Sequence, residues 1–163
     1  MLSNKERIKF INDAKVIGID PGTNGAIAVF SITKGELIEA FKMPETPTDL
    51  LHSLSLYSKN SEVYLEQVGG LPGMGGSAMF NFGKGYGHLE MALISLKIPY
   101  VTVTPQKWQK FFQLGTKGKS SNTEWKNKLK AKSQQLFPQL KITLATADAL
   151  LIMRYGQYQT KLK

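Results

Sequence analysis

The sequence predicts an α/β domain built on a mixed five-stranded sheet flanked by helices. Short β-type runs at 16–20, 26–30 and 36–43 are separated by Gly22-Thr23-Asn24-Gly25 and Thr33-Lys34-Gly35 turns, the pattern of an antiparallel meander. Two further strands, 62–68 and 100–103, alternate with helical segments, so they are expected to join the hairpin in parallel. With 163 residues, 42% of them hydrophobic, the chain has the size of one domain, roughly 100 to 200 residues, and can bury a core without disulfides.

The remaining elements follow in order. Residues 1–14 are mixed in charge, lack the long apolar centre of a secretory signal and are expected to form an N-terminal arm. The segment 44–58 reads as a helix capped by Thr48, with Leu50, Leu51, Leu54 and Tyr57 near one face. Glycines 69, 70, 73, 75, 76, 83, 85 and 87 make 69–87 a flexible loop by expectation. Helical periodicity begins at about 86, with Leu89, Leu93 and Leu96 on one side, and Pro99 stops it. Pro105 opens a helix through 112, residues 115–121 form a polar lysine-bearing loop, and 123–137 and 144–155 close the domain as helices. The domain is expected over 15–158, with 159–163 as a tail.

Several function classes are excluded at once. There is no cysteine, hence no disulfide framework, thiolate nucleophile or cysteine-held metal. No apolar run reaches the roughly 18 residues of a membrane span. The charge of +9 comes almost wholly from lysine, Arg7 and Arg154 being the arginines. Lysine is a point charge on a flexible stem, suited to phosphates rather than to bidentate reading of base edges. Between Lys107 and Lys132 stand eight lysines against one acid, Glu124, so a polyanion partner is expected.

Three carboxylates stand out because each ends or interrupts an apolar run: Asp20 after 16–19, Glu66 within 63–68, and Asp148 within 145–153. Singly, each has an ordinary reading as a turn, strand or helix residue. If the first and fourth strands are neighbours, however, Asp20 and Glu66 share one end of the sheet, and a helix laid across that end can bring Asp148 to them. Clustered carboxylates repel and persist chiefly where cations bridge them. Oxygen-only ligation favours Mg2+ or Mn2+. Two such ions about 3.5–4 Å apart suit in-line phosphodiester displacement.

The stretch Val16-Ile17-Gly18-Ile19-Asp20-Pro21-Gly22-Thr23-Asn24-Gly25 resembles the first motif of RuvC-type Holliday junction resolvases. Val63-Tyr64-Leu65-Glu66-Gln67-Val68, Pro72-Gly73-Met74-Gly75, Phe80-Asn81-Phe82-Gly83-Lys84-Gly85-Tyr86-Gly87 and Thr104-Pro105-Gln106-Lys107-Trp108 resemble the middle motifs of its phage-like and organellar branch. Leu136-Phe137-Pro138 and Ala147-Asp148-Ala149-Leu150-Leu151 resemble its ending. The likeness runs in order over roughly residues 15–156. The first motif alone also occurs in actin-like and heat-shock-type ATPases, but their two large lobes need a longer chain, so no nucleotide cofactor is expected.

The resemblance implies a ribonuclease H-like fold and a magnesium-dependent endonuclease, Mn2+ substituting, that resolves four-way DNA junctions by paired symmetrical nicks. Asp20, Glu66 and Asp148 match three metal ligands of that family, and Lys107 and Lys119 match segments whose lysines lie near the scissile phosphate. Phe80, Phe82 and Tyr86 are candidates for stacking on unpaired bases at the branch. Lys84, Lys107, Lys117, Lys119, Lys126 and Lys130 are candidates for phosphate contact. Trp108 and Trp125 read as core, and His52 and His88 as incidental. A two-fold substrate implies a homodimer, with the helix around Leu89 to Leu96 as its interface, and the setting expected is cytoplasmic, in a bacterial or phage-infected cell, an organelle remaining open. The family's fourth ligand, an Asp or His three or four residues before the last aspartate, is replaced by Ala145 and Leu144. Two alternatives follow: a junction-binding protein with weak or no cleavage, and another ribonuclease H-like nuclease.

Overall fold

The computed structural model describes residues 13–69, 73 and 75–160. Most of the N-terminal arm, Pro72, Met74 and positions 161–163 of the tail lie outside the described residues. The elements run β1 (Lys15–Asp20), β2 (Ala26–Ser31), β3 (Glu36–Lys42), α1 (Pro47–Ser55), β4 (Ser61–Glu66), α2 (Gly76–Ser95), β5 (Tyr100–Val103), α3 (Pro105–Phe111), α4 (Asn122–Leu136) and α5 (Leu144–Thr160). The sheet order is β3-β2-β1-β4-β5. The β1–β2–β3 meander is antiparallel, while β4 and β5 add in parallel on the other side of β1. This is the mixed α/β sheet expected from the sequence.

Side-chain alternation assigns the two faces of the sheet. Ile17, Ile19, Ile27, Val29, Val63 and Leu65 form a core with Leu50 and Leu54 of α1 and Leu89 and Leu93 of α2. The opposite face carries Val16, Ala28 and Tyr64, packed with Trp108, Leu129 and the apolar length of α5. Helix α5 lies close to the sheet because Gly18 has no side chain: a Cβ there would sit 2.2 Å from Met153 N and 2.4 Å from Ala149 O. The β1–β2 turn is equally tight, since a Cβ on Gly25 would meet the Asp20 carbonyl oxygen at 2.0 Å.

Several boundaries differ from expectation. Helix α1 is capped by Thr46, whose hydroxyl accepts from Asp49 N, rather than by Thr48, because Pro47 occupies its first turn. Helix α4 starts at Asn122, where Ser121 and Glu124 form a reciprocal capping box. Helix α5 runs to Thr160, through the point where the tail was expected to begin.

The largest correction concerns 69–87, expected as a loop: residues 76 onward are the first half of the 20-residue helix α2. Each glycine costs a helix about 1 kcal/mol relative to alanine, so propensity does not form it. Its hold comes from the buried Leu89, Ala92 and Leu93, extended backward by the partly buried Tyr86. Gly83, Gly85 and Gly87 all face open space.

Candidate active site

Parallel pairing of β1 with β4 sets Ile19 opposite Leu65, so the next residues, Asp20 and Glu66, end adjacent strands side by side. Both fall on the sheet face covered by α5, because they continue the alternation of Val16 and Tyr64 rather than that of Ile17 and Leu65. Asp148, in the second turn of α5, completes the group: Asp20 and Glu66 are each 9% exposed and Asp148 4%.

Burial this deep disfavours the charged forms. Desolvation, then the neighbouring Asp148 and Glu66 carboxylates, raise the Asp20 pKa to about 8. Glu66 is raised to about 7, chiefly by desolvation, against the opposing hydrogen bond from Trp108. Contact between the two raises Asp20 and lowers Glu66, so the pair holds a shared proton more tightly than free carboxyls do. Asp148 is raised by burial and held back by Lys126.

Two residues reach the cluster in roles the sequence did not disclose. Trp108, fully buried on α3, donates its indole N–H to Glu66 Oε1 at 2.9 Å. Lys126, expected to hold phosphate, instead places Nζ 2.5 Å from Asp148 Oδ2. Burial works against its positive charge, but Asp148, Asp20 and Glu66 outweigh it and raise its pKa.

A buried indole N–H demands an acceptor, which is the signal that Trp108 is more than core. Nothing local distinguishes Lys126 from the lysines around it.

The donor set suits a hard divalent cation: it is all oxygen, and Asp148 Oδ1 is buried without a hydrogen-bond partner. The fit is incomplete. Among the described residues no three acidic or histidine side chains converge tightly enough to hold an ion together, and the ammonium of Lys126 already engages Asp148. Asp20 and Glu66 are the pair left to face a cation, with Asp148 Oδ1 beside them. Leu144 and Ala145, one turn before Asp148 in α5, supply no donor.

The other site candidates are spread around this centre. Lys107 is exposed, next in sequence to the tryptophan that touches Glu66. Lys119 is exposed in the connection from α3 to α4, and neither lysine's side chain makes a hydrogen bond or ion pair within the described residues. Lys117 bonds Asn122 Oδ1, and Lys130 follows Lys126 one turn later on α4. On α2, Lys84 is exposed, Phe80 is 69% exposed, and the ring of Phe82 lies beside Gly22 in the turn after Asp20. Tyr86 instead packs against the α1/α2 core. A shallow depression lined by Lys15, Ser61, Lys97 and Thr160 lies at the opposite end of the strands and contains none of the site residues.

The sheet order and flanking helices define a ribonuclease H-like α/β fold. More narrowly, it is the fold of RuvC. The chain matches Thermus thermophilus RuvC in complex with Holliday junction substrate with a TM-score of 0.57 and 16% identity, over 91% of this chain and 96% of that one. It matches a second T. thermophilus RuvC structure with a TM-score of 0.54 and 18% identity, over 90% and 96%. No protein-family model and no curated protein sequence matches.

Proposed function

We propose that the protein is a structure-selective endonuclease that resolves four-way DNA junctions by metal-assisted phosphodiester hydrolysis, nicking two strands symmetrically as a homodimer. The observation that carries this reading is the buried Asp20–Glu66–Asp148 cluster at the strand ends of a RuvC-like fold. A RuvC of the same fold is seen with a Holliday junction substrate, and the order of this chain's motifs resembles that family.

A bound Mg2+, or Mn2+ in its place, would polarise a phosphate oxygen and lower the pKa of an attacking water. Asp20 and Glu66 are the residues to hold it, Asp20 giving up the proton it shares with Glu66. Trp108 fixes the rotamer of Glu66. Lys107 and Lys119, whose side chains make no hydrogen bond or ion pair among the described residues, are the lysines to meet phosphates. Phe80, exposed at the start of α2, offers a flat face to unpaired bases.

Two protomers fit a two-fold substrate. The helix around Leu89 to Leu96, expected at the dimer interface, turns Leu89 and Leu93 into the core. The exposed apolar positions of the same helix are Met91, at 58%, and Ile94, at 56%. Among the described residues no helix is long and apolar enough to cross a membrane.

The test is competition among substrates of equal length. A labelled four-way junction should be retained and nicked in preference to linear duplex, RNA–DNA hybrid or flap. Equal nicking of all of them, or a preference for the hybrid, would replace this reading with a general ribonuclease H-like nuclease.

A further inference from the structure

Three buried carboxylates in a metal-dependent nuclease invite two divalent ions, yet α5 lacks a further ligand one turn before Asp148. The side chain that meets Asp148 from outside is a cation already: Lys126 Nζ lies 2.5 Å from Oδ2, and Asp148 is 96% buried. The second oxygen, Oδ1, is buried without a hydrogen-bond partner, so the carboxylate has one oxygen paired with an ammonium and the other left unsatisfied.

We infer that the Lys126 ammonium takes the place of a second divalent ion, leaving a centre built for one metal per protomer, held by Asp20 and Glu66 with Asp148 Oδ1 beside them. This inference rests on the nuclease reading above.

Charge balance supports it. Three ionised carboxylates, one ammonium and one divalent ion sum to neutrality, whereas a second divalent ion beside Lys126 leaves an excess of positive charge against the buried carboxylates, where like charges repel. Helix α4 is fixed from both sides, by its capping box at Ser121 and by the buried Trp125 and Leu129. Lys126 therefore enters the cluster from a rigid element rather than from a loop. Lysine also suits the role chemically, since its point charge needs no fork geometry.

Lys126 is a positioning residue, and its signature is in metal binding rather than in rate alone. Mn2+ binding to the full chain, without DNA, should be counted by electron paramagnetic resonance and calorimetry for the wild type, Lys126→Met, Lys126→Gln and Lys126→Arg. The wild type should take up one Mn2+ per chain. The Met and Gln variants, relieved of the repelling charge, should bind Mn2+ at least about tenfold more tightly, and the Arg variant should behave as the wild type. Two ions in the wild type, or an unchanged or weaker affinity in both neutral variants, would overturn the inference. No Mn2+ bound by the wild type would overturn both it and the nuclease reading. One ion with the predicted tightening, but no cutting of a junction, would remove the nuclease reading alone.

Discussion

Trp108 Nε1 donates to Glu66 Oε1 at 2.9 Å across 42 residues of sequence. The indole N–H can only donate, so this bond favours the ionised, metal-competent carboxylate against the burial that opposes it. Trp108→Phe keeps most of the ring volume and removes the donor. We expect Mn2+ affinity to fall about 10- to 100-fold with the fold retained, read by calorimetry at pH 7 beside circular dichroism. Unchanged affinity would assign the tryptophan to packing only.

The raised carboxyls should make the metal-free protein alkali-sensitive. Asp20 binds its proton more tightly folded, with a pKa of about 8, than unfolded, near 3.8. Its stabilising contribution is therefore full below the unfolded value and is lost as pH rises through the folded one. Glu66, at about 7, acts in the same sense. Melting temperature in chelator should decline between pH 4 and pH 8. Asp20→Asn should flatten that decline and melt several degrees above the wild type at the alkaline end.

Metal uptake should release protons for the same reason. Calorimetric titration of Mn2+ near neutral pH, in buffers of different ionisation enthalpy, should show about one proton liberated per ion as the Asp20–Glu66 pair ionises. Heats independent of the buffer would mean that the pair is already ionised.

Gly18 controls how closely α5, and with it Asp148, approaches β1. An added methyl would collide with backbone atoms at 2.2 and 2.4 Å, which cannot step aside as a side-chain tip would. Gly18→Ala should destabilise by about 3 kcal/mol, a fall in melting temperature of about 10 °C. Metal binding should weaken even well below the new melting temperature, because Asp148 moves away from Asp20.

The glycines of α2 should respond in the opposite direction. Gly83 and Gly85 are helical and face open space, so alanine at either should stabilise by about 0.5–1 kcal/mol through the unfolded chain. Denaturant unfolding of the single and double variants checks this, and destabilisation would show that the segment is not helical in solution.

What was legible in the sequence is the sheet and its acids. Asp20, Glu66 and Asp148 each interrupt an apolar run, and a charge in such a run is visible without three dimensions. The strand alternation that places Asp20 and Glu66 on the α5 face is also a one-dimensional pattern. The first half of the helix at 76–95 was hidden because the helix is held by Tyr86, Leu89 and Leu93 at its other end, while its glycine-rich start carries the propensity of a loop. Lys126 was hidden for another reason. It is one of eight lysines between 107 and 132, and only the packing of α4 against α5 separates the one that meets Asp148 from the others.

The central claim is that the three carboxylates form a hydrolytic centre acting on branched DNA. The most direct measurement is a magnesium titration with a synthetic four-way junction, all four strands labelled in turn, following retardation and cleavage in the same samples for the wild type and Asp20→Asn. Paired, symmetrically placed nicks that need magnesium and vanish in Asp20→Asn, while retardation persists, are the predicted result. Tight junction binding without nicks at any magnesium or manganese concentration would contradict it and leave a protein that recognises junctions without resolving them.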